Sequence, residues 1–144
     1  MIVVTQEGAQ RMLGWIFSVY GPVRPYVHLI GSAYTVLHTS TLSLLAAHEL
    51  PLSSGYAPIQ LGASLGQWSF APITAGGQAT YTGALSWTFS AALSVFGYYL
   101  SDDADGLSLW GESFNPYYVF PAGGGTFALT LPPYLISCPG VAAC

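Results

Sequence analysis

The sequence predicts a mainly β fold: an antiparallel β-sandwich or jelly roll with an N-terminal helix and one further short helix. Three observations carry that reading. From Tyr56 onward apolar and polar residues tend to alternate, the period of a half-buried strand. Gly, Pro, Asn and Asp signals punctuate the alternating stretches at short intervals. Only 6 % of the 144 residues are charged, 52 % are hydrophobic, and there are four Trp, ten Tyr and seven Phe. Ordinary soluble domains are about 25 % charged, so the surface of this chain is unusually neutral.

The elements follow in order. Residues 5 to 20 read as an amphipathic helix, with Ala9, Met12, Leu13, Ile16 and Tyr20 at helical spacing. Thr5 is placed to cap it, Glu7 sits in the first turn, Glu7 and Arg11 are i,i+4 partners, and Gly21-Pro22 ends it. Residues 25 to 31 read as a strand, with His28 on the face opposite Val27 and Leu29. Residues 40 to 49 read as a short helix capped by Thr39 or Ser40, with Pro51 beyond its end. Ser53-Ser54-Gly55 is a turn.

Residues 66 to 71 alternate, and Gly76-Gly77 marks a turn. Residues 81 to 90 give the clearest alternation: Leu85, Trp87 and Phe89 face one way, Ser86, Thr88 and Ser90 the other. Strands are expected at 94–101, 107–114 and 126–131, split by Asp-Gly, Asn-Pro and Gly-Gly-Gly signals. The expected organisation is a helical arm (1–24), a β-sandwich domain (25–137) and a C-terminal tail (138–144).

Charge excludes several partners. Two Arg (Arg11, Arg24) and no Lys cannot neutralise a phosphate track or dock on anionic lipid, so no nucleic acid and no membrane partner is expected. No charge lies between Glu49 and Asp102, yet Pro, Gly and polar residues break that stretch. No apolar run approaches the ~18 residues of a spanning helix. The first residues lack the basic and apolar regions of a secretory signal. Cys138 and Cys144 are the only cysteines; their spacing permits a terminal disulfide, and a reducing cytosol would keep them as thiols.

Chemistry is sparse. His28, His38 and His48 are the only imidazoles, and no G-x-S-x-G elbow occurs. They read as structural histidines, with a hydrolase around His48 or the acidic turn as the enzymatic alternative. Four acids lie between Asp102 and Glu112 and read as solvated loop acids. Counted from Ser101, the positions of Asp103, Asp105, Gly106 and Glu112 match an EF-hand loop. Position 1 is Ser and the flanks read as strands, so a hairpin with an Asp-Gly turn is expected there. No enzymatic activity, cofactor or metal is expected.

An ordered series of short motifs carries a resemblance. Val27-His28-Leu29-Ile30 is followed by the Thr/Ser-started helical segment, then by Gly55-Tyr56-Ala57-Pro58-Ile59-Gln60-Leu61. Trp68-Ser69-Phe70, Gly97-Tyr98-Tyr99, Leu109-Trp110-x-Glu112-x-Phe114 and Phe120-Pro121-Ala122-Gly123-Gly124-Gly125 follow in that order. The stretch from Tyr26 to Ser137 resembles small virion proteins of tailed bacteriophages, of the head cement or decoration type. The resemblance implies a structural protein that fastens major capsid protein subunits on the outer surface of the phage head, after synthesis in the host cytoplasm. It implies no catalytic residues. A closed homotrimer is the expected assembly. Ile2, Val3, Val4, Trp15, Phe17, Tyr117 and Tyr118 are the expected contact residues, because charge-poor, aromatic surface suits a subunit interface. The alternative role is a tail-associated or receptor-binding module that takes glycans.

Overall fold

A computed structural model describes residues 3–4, 25–61, 67–73, 76–102 and 106–137. The helix expected over residues 5 to 20 lies outside these residues, as do Ile2, Trp15, Phe17, Asp103, Asp105, Cys138 and Cys144. The described chain is mainly β and its strand pairs are antiparallel. The strands are β1 (Val3–Val4), β2 (Pro25–Ile30), β3 (Ile59–Gln60), β4 (Trp68–Ile73), β5 (Gly76–Tyr81), β6 (Leu85–Phe89), β7 (Leu93–Asp102), β8 (Leu107–Phe120), β9 (Gly125–Leu129) and β10 (Tyr134–Ser137). The short helix α1 spans Leu42–Ala46. No helix among the described residues is long and apolar enough to cross a membrane.

The chain divides into two compact units. The first comprises Met1–Leu61 and Trp87–Phe127 and holds a five-stranded sheet in the order β1-β8-β7-β2-β3. The second comprises Gly62–Ser86 and Ala128–Cys144 and holds a three-stranded sheet, β10-β5-β4. β6 and β9 pair with each other, and the division between the units runs through both strands.

In the first unit, alternation sends successive side chains of β2 and β7 to opposite faces. Ile30 and Tyr99 pack with Val36 and Leu45, and Tyr34, Leu42 and Phe96 close around them. Thr41 caps α1, its hydroxyl accepting the Leu44 N–H at 3.4 Å. The cap therefore sits one or two residues later than Ser40 or Thr39. Ser40 is buried instead, where its hydroxyl accepts the Leu37 N–H and bonds the Tyr34 hydroxyl. A cluster of rings occupies another part of this unit. Phe127 of β9 meets Trp87 of β6 and Phe114, Tyr118 and Phe120 of β8, at centroid distances of 5.2 to 6.2 Å. Edge and tilted arrangements dominate, as the ring quadrupoles favour. The burial of Leu85, Trp87 and Phe89 against the exposure of Ser86, Thr88 and Ser90 matches the alternation read from the sequence. The ladder brings Gly124 close to β6: with φ at +74°, a Cβ there would overlap the Phe89 carbonyl.

Two turn signals and one strand depart from expectation. Gly76 and Gly77 belong to β5, where they pair with Ile73 and Pro72 of β4. Residues 81 to 90 are two strands, because β5 ends at Tyr81 and β6 begins at Leu85. Asn115-Pro116 does not end β8. Between the pairs Gly97↔Ser113 and Val95↔Tyr118, β7 contributes only Phe96 whereas β8 contributes residues 114–117. The segment leaves the ladder as a bulge and rejoins it, which suits a proline that has no N–H to donate.

Candidate functional site

Two places in the first unit concentrate chemistry or exposed apolar surface. The first is a polar knot on one face of β2 and β7. His28 of β2 lies opposite Tyr99 of β7 in the ladder, and Tyr26 lies opposite Ser101. His28 and Ser101 therefore project from the same face. Downstream of α1 the chain returns along β2, where Ile30 and Glu49 form a bridge. That return delivers the Glu49 carboxylate over His28.

The bonds are short. His28 Nδ1 is 2.9 Å from Glu49 Oε1, and His28 Nε2 is 2.7 Å from Ser101 Oγ. The Tyr56 hydroxyl donates to Glu49 Oε1 at 2.6 Å, and the Tyr99 hydroxyl donates to Oε2 at 2.8 Å. An ionised carboxylate only accepts, so Nδ1 carries a hydrogen and, in the neutral ring, Nε2 accepts the Ser101 hydroxyl proton. The His28 and Tyr99 rings stack at 4.6 Å and 5°. Burial pushes the Glu49 carboxyl up. The hydrogen bonds from His28 and Tyr56, the His28 charge and the Tyr99 bond outweigh it, leaving the group below the usual glutamate range. Burial and the neighbouring Glu49 push the Tyr56 phenol well above its usual range.

Ser101, His28 and Glu49 thus have the connectivity of a hydrolytic triad. The convergence occurs at His28, and not at His48 or the acidic turn, where the sequence places the enzymatic alternative. His48 stacks on Tyr34 at 4.5 Å and bonds the Ser32 hydroxyl at 2.7 Å. A nucleophile must also reach a substrate carbonyl. Ser101 is 0 % exposed and His28 6 %, so in this conformation the relay ties strands and a loop together.

The acidic turn is a hairpin closed by Asp102↔Leu107, with Gly106 at φ +65°. Ser101 pairs with Ser108, whereas Glu112 pairs with Tyr98. Ser101 and Glu112, the ends of the EF-hand count, stand apart along the ladder and on opposite faces. The expectation of solvated acids fails for two of them. Asp102 is fully buried because β7 runs through it, and Glu112 is part-buried and accepts the Tyr98 hydroxyl at 3.4 Å. Burial and Glu112 together raise the Tyr98 phenol.

The second place is the bulged end of β8. Residues 115 to 119 are exposed in succession. Tyr117 is 49 %, Tyr118 50 % and Val119 68 % exposed. The two tyrosines do not form one patch. Tyr117 stacks on Phe96 at 4.4 Å, while Tyr118 leans on Phe114 and Phe127 at 5.3 and 5.2 Å. Each ring is half anchored, and together they flank an edge. On the other side of β8, β1 reaches only Trp110 and Gly111, so among the described residues no second strand covers 113–120. Val3 and Val4, expected as contact residues, form β1 within this chain's own sheet. The chain matches no protein-family model and no curated protein.

Proposed function

We propose that this is a structural virion protein of the cement or decoration type, fastening major capsid protein subunits on the outside of a phage head. The observation that carries the reading is the neutral, aromatic edge at Asn115–Val119, where two half-anchored tyrosines and an exposed valine present apolar surface without a charge. Interface cores are depleted in charge and enriched in aromatic rings, and half-anchored rings lose little freedom on docking. The resemblance of residues 26–137 to phage head proteins supplies the partner. An antiparallel sandwich or jelly-roll arrangement, an N-terminal helix and a homotrimeric assembly belong to the same proposal.

The test is occupancy on purified shells. Tyr118→Ser with Val119→Ser should lower it about tenfold or more, since a buried hot spot is worth 2 kcal/mol or more, while far-UV circular dichroism stays unchanged. Full occupancy of the double variant overturns the edge as the contact. Copy number separates the alternative role, for cement is present in hundreds of copies per virion and a tail tip in few.

A further inference from the structure

We propose that the segment from His48 to Ala57 is an acid-released strap, locked along the free edge of β2 by the Glu49 carboxylate. The edge is closed piece by piece. Leu61 N–H donates to the Pro25 carbonyl at 2.8 Å, and β3 pairs with Tyr26 and Val27. Further along, Leu50 N–H donates to the Leu29 carbonyl at 2.9 Å, and Gly31 N–H donates to the His48 carbonyl at 2.7 Å. Between these two stretches no backbone partner meets the Leu29 N–H. The Tyr56 hydroxyl does, accepting it at 3.1 Å. A phenol therefore stands in the ladder where a strand carbonyl would otherwise be.

Glu49 holds that phenol in place. Its two oxygens receive His28 from β2, Tyr56 from the strap and Tyr99 from β7. These are the titratable groups bonded to it, and Tyr26 lies one ring further out, 6.4 Å from His28. All three bonds to Glu49 are strengthened by the charge of the carboxylate. Protonation removes that charge and adds an O–H that needs an acceptor of its own among three groups that now all donate, so the knot must weaken or rearrange. The distal anchors do not titrate: Trp87 Nε1–H donates to the Ala57 carbonyl at 2.8 Å, and Ser90 N–H to the Ser54 carbonyl at 3.3 Å. The strap then swings from those anchors, baring the β2 edge between Leu29 and Gly31. An open strand edge is a template for another strand.

Amide hydrogen exchange of the full chain tests this, with rates corrected for intrinsic pH dependence. From about pH 6 to about pH 3, protection of the Leu29, Gly31 and Leu50 amides should fall by up to about tenfold per pH unit across the carboxyl's titration. Tyr98 and Leu100 amides in β7 should keep theirs. Glu49→Gln should leave the Leu29, Gly31 and Leu50 amides weakly protected at every pH. Should that variant not fold, Tyr56→Phe serves, exposing the Leu29 amide already at neutral pH. Equal loss at all amides, or none at the strap, overturns the proposal.

Discussion

Tyr56 does two jobs with one oxygen: it accepts the Leu29 N–H and donates to Glu49. Removing it leaves a buried amide donor without its acceptor, which costs about 1–3 kcal/mol. Tyr56→Phe should therefore lower unfolding stability in urea by that amount with little change in m-value. The Glu49 carboxyl adds a pH dependence of fixed sign. Its folded value lies below the unfolded one, so its contribution is complete above about pH 4.3. That contribution is lost as pH falls through the folded value. Urea midpoints of the wild type should drop in this acid window, and those of Glu49→Gln should drop less. None of this could be read from spacing. Glu49 and Ser101 lie 21 and 73 residues from His28, and the three meet only through the β2–β7 register and the return of the chain along β2. What the sequence did show is that His28 opposes Val27 and Leu29 across the strand.

At the scale of elements, strand identity was more legible than strand ends. Burial alternates along Leu85–Phe89 as the sequence pattern requires. The errors lie at turn residues whose meaning depends on the neighbouring strand. Asn-Pro signals a turn in isolation, and beside β7 it becomes a bulge. β10 is short and has no counterpart among the expected strands, because four residues leave little period to detect. The hairpin geometry yields a second expected outcome. With Ser101 and Glu112 on opposite faces, calorimetric titration with millimolar Ca²⁺ should give no binding heat, and a clear isotherm would contradict the register. The approach of Gly124 to β6 yields a third. Gly124→Ala should destabilise by about 1–3 kcal/mol or more, because it combines positive φ with an overlap on a backbone carbonyl, and thermal melting would show it.

For the molecule as a whole, neutrality and aromatic content were plain from composition, and their deployment was not. Among the described residues, most rings of the first unit pack against one another around Phe127 or close over Ile30 and Leu45. Among the described residues, the β8 edge, with Leu37, Leu44 and Leu52 elsewhere, leaves large apolar side chains markedly exposed. A chain with so little charge has weak electrostatic repulsion to keep copies apart. Light scattering of the purified protein should accordingly report a closed oligomer, with the trimer as the expected mass, and a stable monomer at high concentration would count against the assembly proposed above.

The bulge at residues 114–117 also bears on how the protein could be engineered. Ladder pairing is regular on both sides of it, at Ser113 and again from Tyr118 to Phe120. Length added within it changes the size of an existing excursion and leaves both registers intact. It is thus the point of β8 where added residues disturb the fewest ladder bonds.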